Sequence, residues 1–264
     1  MHLVDTRPEQ LAAVPYRAAG PGGVPENALL SVERLPVDKL PAGCEALVAA
    51  GDLQGIAPSP LGGDPQLLGI TLADYLGVWA EIGMLPPADR LGVLLTGDLY
   101  SAPGADRRGA SGPVLDVWLA LVAAGCPMVL GVAGNHDEVT AAEVAGLDSG
   151  VALLDGDRHD VGGVTVAGIS GIVGGPGRPL RRTEREFLTL VEGLTTPPPD
   201  VLLLHEGPTG ERANQPGRAT VRGTLERRAP ALTLCGHVHW AEPVAALGDG
   251  HIVNVDARVV VFST

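Results

Sequence analysis

Short apolar runs rich in valine and leucine recur along the chain, and stretches with helical periodicity separate several of them. Runs of this length, bounded by turn residues, are typical of buried strands, and their alternation with helices is typical of an α/β protein. We predict strands at Ala46–Ala50, Val93–Thr96, Met128–Ala133, Val164–Ile169, Val201–Leu204, Leu232–Cys235, Ile252–Val255 and Arg258–Phe262. Only Asp256-Ala257 separates the last two strands, so we predict that they form a terminal hairpin.

Helices are predicted from their start and stop signals, at Thr71–Leu85, Pro113–Gly125 and Thr183–Gly193. Thr183 and Glu186 have the spacing of a capping box, and Thr71 with Asp74 has the same spacing. Proline suits the first position of the second helix, and glycine suits its end.

The first 43 residues are rich in proline and glycine and show little periodicity. We interpret residues 1–43 as an N-terminal extension packed on a single domain that spans residues 44–264. Two further segments, 55–70 and 170–179, are rich in glycine and proline. They are candidates for mobile walls around a site, although ordinary surface loops would look the same.

Composition indicates a globular protein, because 45% of the residues are hydrophobic and 19% are charged. The net charge of −13, the single lysine and the low aromatic content of 3% disfavour a nucleic-acid polymer as substrate, since such proteins present basic or stacking surfaces. The acidity also has a simpler interpretation, which is that it keeps the protein soluble.

The N-terminal residues lack the basic start and apolar core of a secretory signal, and no apolar run approaches the roughly 18 residues that span a bilayer. Cys44, Cys126 and Cys235 are widely spaced and odd in number, which does not suggest a disulfide framework. We therefore expect a cytoplasmic protein without a membrane partner; the sequence leaves its oligomeric state open.

Five predicted strands end in side chains able to bind metal: Asp52, Asp98, Asn135, His205, and His237 with His239. In open α/β sheets the ligand site lies beyond the carboxyl ends of the strands, so these positions would converge. A single such residue is more often a capping or surface residue, but five together indicate a shared site. Carboxylate, amide and imidazole groups suit borderline to hard ions such as Mn²⁺, Zn²⁺ and iron.

These segments read Gly51-Asp52-Leu53-Gln54-Gly55, Gly97-Asp98, Gly134-Asn135-His136-Asp137, His205 and Gly236-His237-Val238-His239. They resemble, in order, the motifs of the calcineurin-like metallophosphoesterase superfamily: Asp-x-His, Gly-Asp, Gly-Asn-His-Asp/Glu, a lone His and Gly-His-x-His. Each motif alone is weak, but the ordered set is specific. The resemblance implies a four-layer α/β/β/α sandwich, with two sheets inside and helices outside.

The resemblance also implies the role of each residue. Asp52 and His239 would bind a first metal ion, and Asp98 would bridge two ions. The remaining ligands, those of the second ion, would be Asn135, His205 and His237. Two divalent ions, with Mn²⁺ favoured and iron or Zn²⁺ as alternatives, would hold a hydroxide as nucleophile and clamp the phosphate oxygens.

His136 would not bind metal but would contact the phosphate and protonate the leaving group as the catalytic acid. Asp137 is expected to steady the turn rather than to take part in chemistry. The implied activity is hydrolysis of phosphate esters.

Gln54 is a departure from the superfamily, because the first motif normally has histidine at this position. Its amide would be either a weak ligand of the first metal or an outer hydrogen-bonding partner. Either role weakens the first site and favours an oxygen-preferring ion such as Mn²⁺. The alternative function is therefore a non-catalytic or single-metal scaffold of the same fold, although the retained His136 favours an enzyme.

The second motif does not resemble the Gly-Asp-x-Val-Asp-Arg-Gly pattern of the protein serine/threonine phosphatases. We predict a phosphodiesterase or phosphomonoesterase acting on a small, nucleotide-like ester, and less readily a nuclease. Arg107, Arg108 and Tyr100 are candidate substrate-binding residues, since a guanidinium binds phosphate oxygens in a bidentate manner. Solvated arginines and a packed tyrosine are the alternatives.

Overall fold

The computed structural model describes all 264 residues. Its five α-helices are α1 Leu68–Glu81, α2 Leu115–Ala123, α3 Ala141–Ala145, α4 Glu184–Leu194 and α5 Ala219–Leu225. Its strands are β1 Glu9–Ala19, β2 Pro25–Pro36, β3 Ala46–Gly51, β4 Gly55–Ala57, β5 Gln66–Leu67, β6 Leu91–Leu95, β7 Gly112–Pro113, β8 Met128–Gly131, β9 Asp137–Glu138, β10 Val151–Leu153, β11 Asp157–Val161, β12 Val164–Ile169, β13 Ile172–Val173, β14 Arg181–Arg182, β15 Val201–Glu206, β16 Leu232–Gly236, β17 Val244–Leu247, β18 Gly250–Asn254 and β19 Arg258–Ser263. All eight predicted strands are present, with small shifts at their ends.

Most strands belong to two sheets. The larger has nine strands in the order β10-β8-β6-β3-β19-β2-β1-β4-β5, and the smaller has six in the order β11-β12-β15-β16-β18-β17. Within the larger sheet β3, β6, β8 and β10 run parallel, and within the smaller sheet β12, β15, β16 and β18 run parallel. The carboxyl ends of the parallel strands in each sheet therefore share one edge.

Alternating side chains of the strands pack on opposite faces, and this alternation builds the layers. In β3, Val48 joins a buried cluster with Trp79 of α1 and Trp118 of α2, whereas Leu47 joins a cluster between the two sheets. In β15, Leu203 belongs to that central cluster. Both faces of the central strands of each sheet are thus buried, which explains why these strands are continuously apolar.

The outer face of the smaller sheet packs on α4 and α5, where Leu202 and Leu204 meet Phe187 and Val221. The order of layers is helices, nine-stranded sheet, six-stranded sheet, helices. The predicted four-layer α/β/β/α sandwich is therefore confirmed. No helix is both long enough and apolar enough to cross a membrane.

The helix-capping predictions had different outcomes. Thr183 and Glu186 form the expected capping box at the start of α4. The first helix instead begins at Leu68, so Thr71 lies inside the helix rather than at its N-cap. The Thr71 hydroxyl donates a hydrogen bond to the Ala57 carbonyl oxygen, 2.9 Å away. Pro113 belongs to the short strand β7 rather than to the second helix.

The N-terminal segment contains two long strands that the sequence pattern did not predict. β1 and β2 form an antiparallel hairpin, and β2 also pairs in parallel with β19. Leu30, Val32 and Leu35 of β2 are fully buried. Charged residues interrupt this apolar pattern, so the local signal for strands is weak. The division of the chain at residue 43 stays a prediction.

The predicted terminal hairpin is wrong. β18 pairs with β16 and β17 in the smaller sheet, whereas β19 pairs with β2 and β3 in the larger one. The chain crosses between sheets at Asp256 and Ala257, and Ala257 has a left-handed φ of 50°. Because both runs are apolar on both faces, their sequence does not show which sheet each joins.

Candidate metal centre

Three of the candidate residues lie at turns that follow parallel strands. Asp52 follows β3, Asp98 lies three residues after β6, and His237 follows β16. Each of these three residues has a left-handed backbone, with φ values of 51°, 53° and 69°. Non-glycine residues rarely adopt this region, and such strain clusters at functional sites. The turns keep the three side chains at the ends of their strands.

Two motif glycines are required by close approach of the acidic residues. A Cβ atom on Gly134 would lie 2.0 Å from Oδ1 of Asp98, and one on Gly236 would lie 2.0 Å from Oδ2 of Asp52. Distances this short exclude any side chain without displacement of the carboxylates. The glycines next to Asn135 and His237 therefore have a steric role in the site.

Asp98, His205 and His237 form a compact cluster in which their candidate ligand atoms all lie within 4.8 Å of one another. Nε2 of His205 is 3.4 Å from Oδ2 of Asp98, without hydrogen-bond geometry. Nδ1 of His205 lies 2.8 Å from the Thr96 carbonyl oxygen. Because a carbonyl only accepts, Nδ1 carries a proton, so Nε2 is the nitrogen that faces the cluster and would bind a metal ion once it is deprotonated.

Two buried polar atoms have no hydrogen-bond partner, namely Nε2 of His205 in this cluster and Oδ1 of Asn135, which follows Gly134. An unpaired buried acceptor costs about 1–3 kcal/mol, so native proteins normally satisfy such atoms. Both are donor atoms that divalent ions accept. The residues present therefore fit a metal ion at this position.

The electrostatics of the cluster favour a positive charge. Burial raises the pKa of Asp52, His205 counteracts this in part, and Asp256 and Asp98 raise it further by repulsion. Burial lowers the pKa of His205, but attraction by Asp98 and then Asp52 outweighs burial and raises it to about 10. A divalent ion would supply the positive charge that these carboxylates attract.

His237 differs from His205 in its preferred charge state. Burial and the positive charge of His205 both lower the pKa of His237, which favours its neutral form. Neutral imidazole is the form that binds metal. The two rings lie edge to face with their centroids 5.0 Å apart.

Asp137 stabilises the turn around the cluster. Its carboxylate accepts hydrogen bonds from the backbone N–H groups of Asp98, Leu99 and Gly134, each at 2.8 Å. Burial raises the pKa of Asp137 to about 6, and the charge of Asp98 acts in the same direction. In turn, Oδ1 of Asp98 accepts a hydrogen bond from the backbone N–H of His136 at 2.9 Å. Asp137 thus contacts backbone, as expected for a residue that steadies the turn.

Of the residues predicted for the first metal, Gln54 and Asp52 contact the compact cluster, and His239 contacts Asp256. Nε2 of Gln54 donates to Oδ2 of Asp98 at 3.1 Å, and Oδ2 of Asp52 accepts from the backbone N–H of His237 at 2.8 Å. The His239 side chain is 57% exposed, and its Nδ1 lies 3.2 Å from both the carbonyl oxygen and Oδ1 of Asp256.

A cavity of about 480 Å³ contains most of the candidate residues. Its lining includes Asp52, Gln54, Asp98, His136, His237 and His239, together with Tyr100, Arg107 and Arg108. Neither of the glycine- and proline-rich segments proposed as mobile walls lines it.

His136 lies on the wall of this cavity next to the loop that carries Arg107 and Arg108. Its Nδ1 lies 3.1 Å from Oγ of Ser111, and its carbonyl oxygen accepts from the Gly112 N–H at 3.2 Å. Gly109 has a left-handed φ of 64°, and a Cβ there would lie 3.3 Å from Cε1 of His136. The loop from Ser101 to Ser111 therefore packs directly against the candidate acid.

Sequence reasoning missed several residues at this site. Tyr16, Ala18 and Ala19 of β1 line the cavity, but no sequence signal linked the N-terminal strands to it. Asp256 also lines the cavity. It follows β18 as the other acidic residues follow their strands, so the strand-end rule would have found it.

The sandwich fold and the carboxylate, amide and imidazole donors are those expected of a metal-dependent phosphoesterase. The family model for the calcineurin-like phosphoesterase matches residues 47–241, and the chain belongs to this family. The protein is therefore a metal-dependent hydrolase of phosphate esters. No curated protein matches the sequence significantly.

A solved structure similar to this chain is the crystal structure of TT1561 of Thermus thermophilus. The match has a TM-score of 0.55 and 17% sequence identity, and it covers 81% of this chain and 90% of that chain. At this identity the similarity concerns the fold alone.

Proposed function

We propose that this chain hydrolyses small phosphate esters with two divalent metal ions bound on either side of Asp98. The observation that carries the proposal is the position of Oδ2 of Asp98, which lies 3.4 Å from Nε2 of His205 and 3.1 Å from Nε2 of Gln54. One carboxylate thus adjoins a candidate ligand of the second site and accepts a hydrogen bond from Gln54, a neighbour of the first site. A shared carboxylate reduces repulsion between two neighbouring cations.

The two sites would differ in strength. Asn135, His205 and His237 would hold one ion together with Asp98, and this group includes the unpartnered buried atoms. Asp52 and His239 would hold the other, with Gln54 as a weaker neighbour. An amide oxygen is a harder and weaker donor than imidazole, so we propose Mn²⁺ as the preferred ion, with iron or Zn²⁺ as alternatives.

When bound, the ions would supply an activated water as nucleophile and would neutralise charge on the phosphate. We propose that His136 then donates a proton to the leaving oxygen, since it lines the cavity and is not needed as a ligand. Ser111 contacts Nδ1 of His136 and so restricts rotation of the ring. General acid catalysis of this kind contributes typically 10²–10⁴-fold.

The cavity suggests the substrate class. A volume of about 480 Å³ lies within the range of small-molecule sites, roughly 300–1,000 Å³. We propose that Arg107 and Arg108 bind phosphate oxygens and that Tyr100 contacts the organic group of a nucleotide-like ester. The net charge of −13 opposes binding of a nucleic-acid polymer, which makes a nuclease the weaker proposal.

The test is turnover of three esters by metal-free protein reconstituted with Mn²⁺, Zn²⁺ or Fe²⁺: an aryl phosphate, an aryl phosphodiester and a cyclic nucleotide. We expect hydrolysis of at least one ester, greatest with Mn²⁺, and two ions per chain by elemental analysis. No turnover of any ester, together with less than one ion per chain, would instead support the non-catalytic scaffold. Gln54 is the residue that favours this second candidate.

A further inference from the structure

We infer that Asp256 is a positioning residue of the metal centre, which holds His239 through Nδ1 and so leaves Nε2 free to bind the first metal. The inference rests on the proposed two-metal function and extends it to a residue outside the motifs. Asp256 lies beyond residues 47–241, the part that matches the family model. We therefore assign the role of Asp256 from its contacts in this structure rather than from a family motif.

The crossing between the sheets fixes the backbone at Asp256. β18 is held in the smaller sheet and β19 in the larger one, so the three residues between Asn254 and Arg258 must connect the two sheets. Asp256 forms an isolated bridge with Gly51, and the N–H of Ala257 donates to the Gly51 carbonyl oxygen at 3.1 Å. The bridge brings Asp256 beside the residue that precedes Asp52.

Asn254 connects this crossing to the loop of His237 and His239. Asn254 is buried, and its Nδ2 donates to the carbonyl oxygen of Val238 at 2.9 Å. Its Oδ1 accepts from the backbone N–H of Asp256 at 3.4 Å. Asp256 and the Gly-His-x-His loop are thereby held against the same side chain, which fixes their relative position.

The contact with His239 determines the protonation of its ring. Nδ1 lies 3.2 Å from the carbonyl oxygen of Asp256 and 3.2 Å from its Oδ1. Both partners are acceptors, so Nδ1 carries a proton, and Nε2 is the nitrogen left to bind a metal ion. Since the side chain of Asp256 is only 13% exposed while that of His239 is 57% exposed, the acid is the fixed partner.

The need for such a partner follows from Gln54. The first site has an amide where the family has an imidazole, so His239 is its only imidazole donor. A carboxylate hydrogen-bonded to the distal nitrogen orients a histidine ligand and raises its basicity. Asp256 therefore strengthens the one nitrogen donor on which the weaker site depends.

The experiment is calorimetric titration of the metal-free protein with Mn²⁺, comparing the parent with Asp256→Ala and Asp256→Asn. We expect Asp256→Ala to weaken one Mn²⁺ site by about 10–100-fold, in the range for loss of a ligand's hydrogen-bonding partner. Asp256→Asn should fall between parent and alanine variant, because its amide oxygen still accepts from Nδ1 but lacks the charge. The matched control is Asp249→Asn, an exposed acid in the turn between β17 and β18, which should retain the parental affinity.

A double-mutant cycle with His239→Ala separates positioning from other roles. If Asp256 acts through His239, Asp256→Ala should change the Mn²⁺ affinity several-fold less in the His239→Ala background than in the parent. An equal loss in both backgrounds would overturn the inference, because Asp256 would then bind metal directly or act through the fold. Thermal unfolding of the metal-free proteins supplies the second readout. A large drop in the Tm of Asp256→Asn would also overturn the inference, because Asp256 would then act through the fold.

The outcomes distinguish this inference from the proposed function. Parental Mn²⁺ affinity in Asp256→Ala, in a protein whose parent hydrolyses esters, would overturn the inference and leave the function intact. A parent without Mn²⁺ binding or turnover would overturn both.

Discussion

Nε2 of His205 lies 3.4 Å from Oδ2 of Asp98, although the two residues belong to different sheets of the sandwich. Asp98 follows β6 of the larger sheet, whereas His205 lies within β15 of the smaller one. The two parallel sets of strands therefore end at one shared edge. Side chains far apart in the sequence meet there because the sheets pack face to face with this edge in common.

Asp98→Ala should remove metal from both sites and abolish nearly all ester hydrolysis, because we propose that its carboxylate bridges the two sites. Elemental analysis after dialysis, together with aryl phosphodiester turnover, measures both effects. Asp116→Asn, which changes an exposed acid of α2, is the control and should behave as the parent. Two tightly bound ions in Asp98→Ala would contradict the bridging role.

His136→Ala should keep its metal content but slow turnover by roughly 100-fold or more, as expected for loss of a general acid. The loss should be larger for an alkyl ester than for an aryl ester, since a phenolate departs without protonation. Steady-state rates for the two esters measure this difference. His159→Ala, on the exposed strand β11, is the control. Parental rates on both esters would show that His136 is not the acid.

Arg107→Ala and Arg108→Ala should each raise KM for a phosphate ester by roughly tenfold, because each removes charge-assisted hydrogen bonds to the phosphate. Arg90→Ala provides the control, since Arg90 is exposed and immediately precedes β6, whereas the site lies beyond the other end of that strand. Initial rates over a range of substrate concentrations separate KM from kcat. An unchanged KM in both variants would identify these residues as solvated surface arginines.

Gly134→Ala should destabilise the protein by about 1–3 kcal/mol and reduce metal binding, as expected for overpacking. The added Cβ would lie 2.0 Å from Oδ1 of Asp98 and 2.3 Å from its backbone nitrogen, which no side-chain rotation can relieve. Gly193→Ala is the control, because a Cβ there meets nothing within 4 Å and the residue is helical. It should stabilise by about 0.5–1 kcal/mol, and urea unfolding measures both changes. Equal stability of the two variants would show that the contact with Asp98 is readily relaxed.

Asp200 should contribute stability that is lost in acid. Burial opposes its ionisation, but Lys39 at 2.7 Å, the Thr165 N–H at 3.0 Å and the N-terminal ammonium at 3.0 Å lower its pKa to about 2. Because the folded pKa is below the ordinary value of 3.8, the contribution is present above pH 3.8 and disappears as pH falls towards about 2.

Asp200→Asn should therefore lower the free energy of unfolding at neutral pH by about 1 kcal/mol, allowing for solvent screening. The difference from the parent should decrease towards zero as pH falls through about 2, and urea unfolding across this range measures it. Asp160→Asn, on the exposed strand β11, removes the same charge as a control. A difference that persists in full at the acid end of the range would mean that the effect is not electrostatic.

The sequence by itself determined the strands of the core, the order of the motifs and the family. Buried parallel strands are apolar on both faces, and the candidate metal ligands lie at or shortly after the ends of such strands, so both signals are local. The capping box of Thr183 and Glu186 is local in the same way. These features could be predicted because each depends on residues a few positions apart.

Only the tertiary structure decided which sheet each strand joins and which other residues reach the site. The apolar patterns of β18 and β19 report burial but not their partners, so the hairpin predicted between them was wrong. The crossing of the chain at this point brings Asp256 to His239 and Asp52, and the pairing of β1 brings Tyr16 to the cavity. Strand pairing is set by packing between distant segments, which periodicity along one segment does not record.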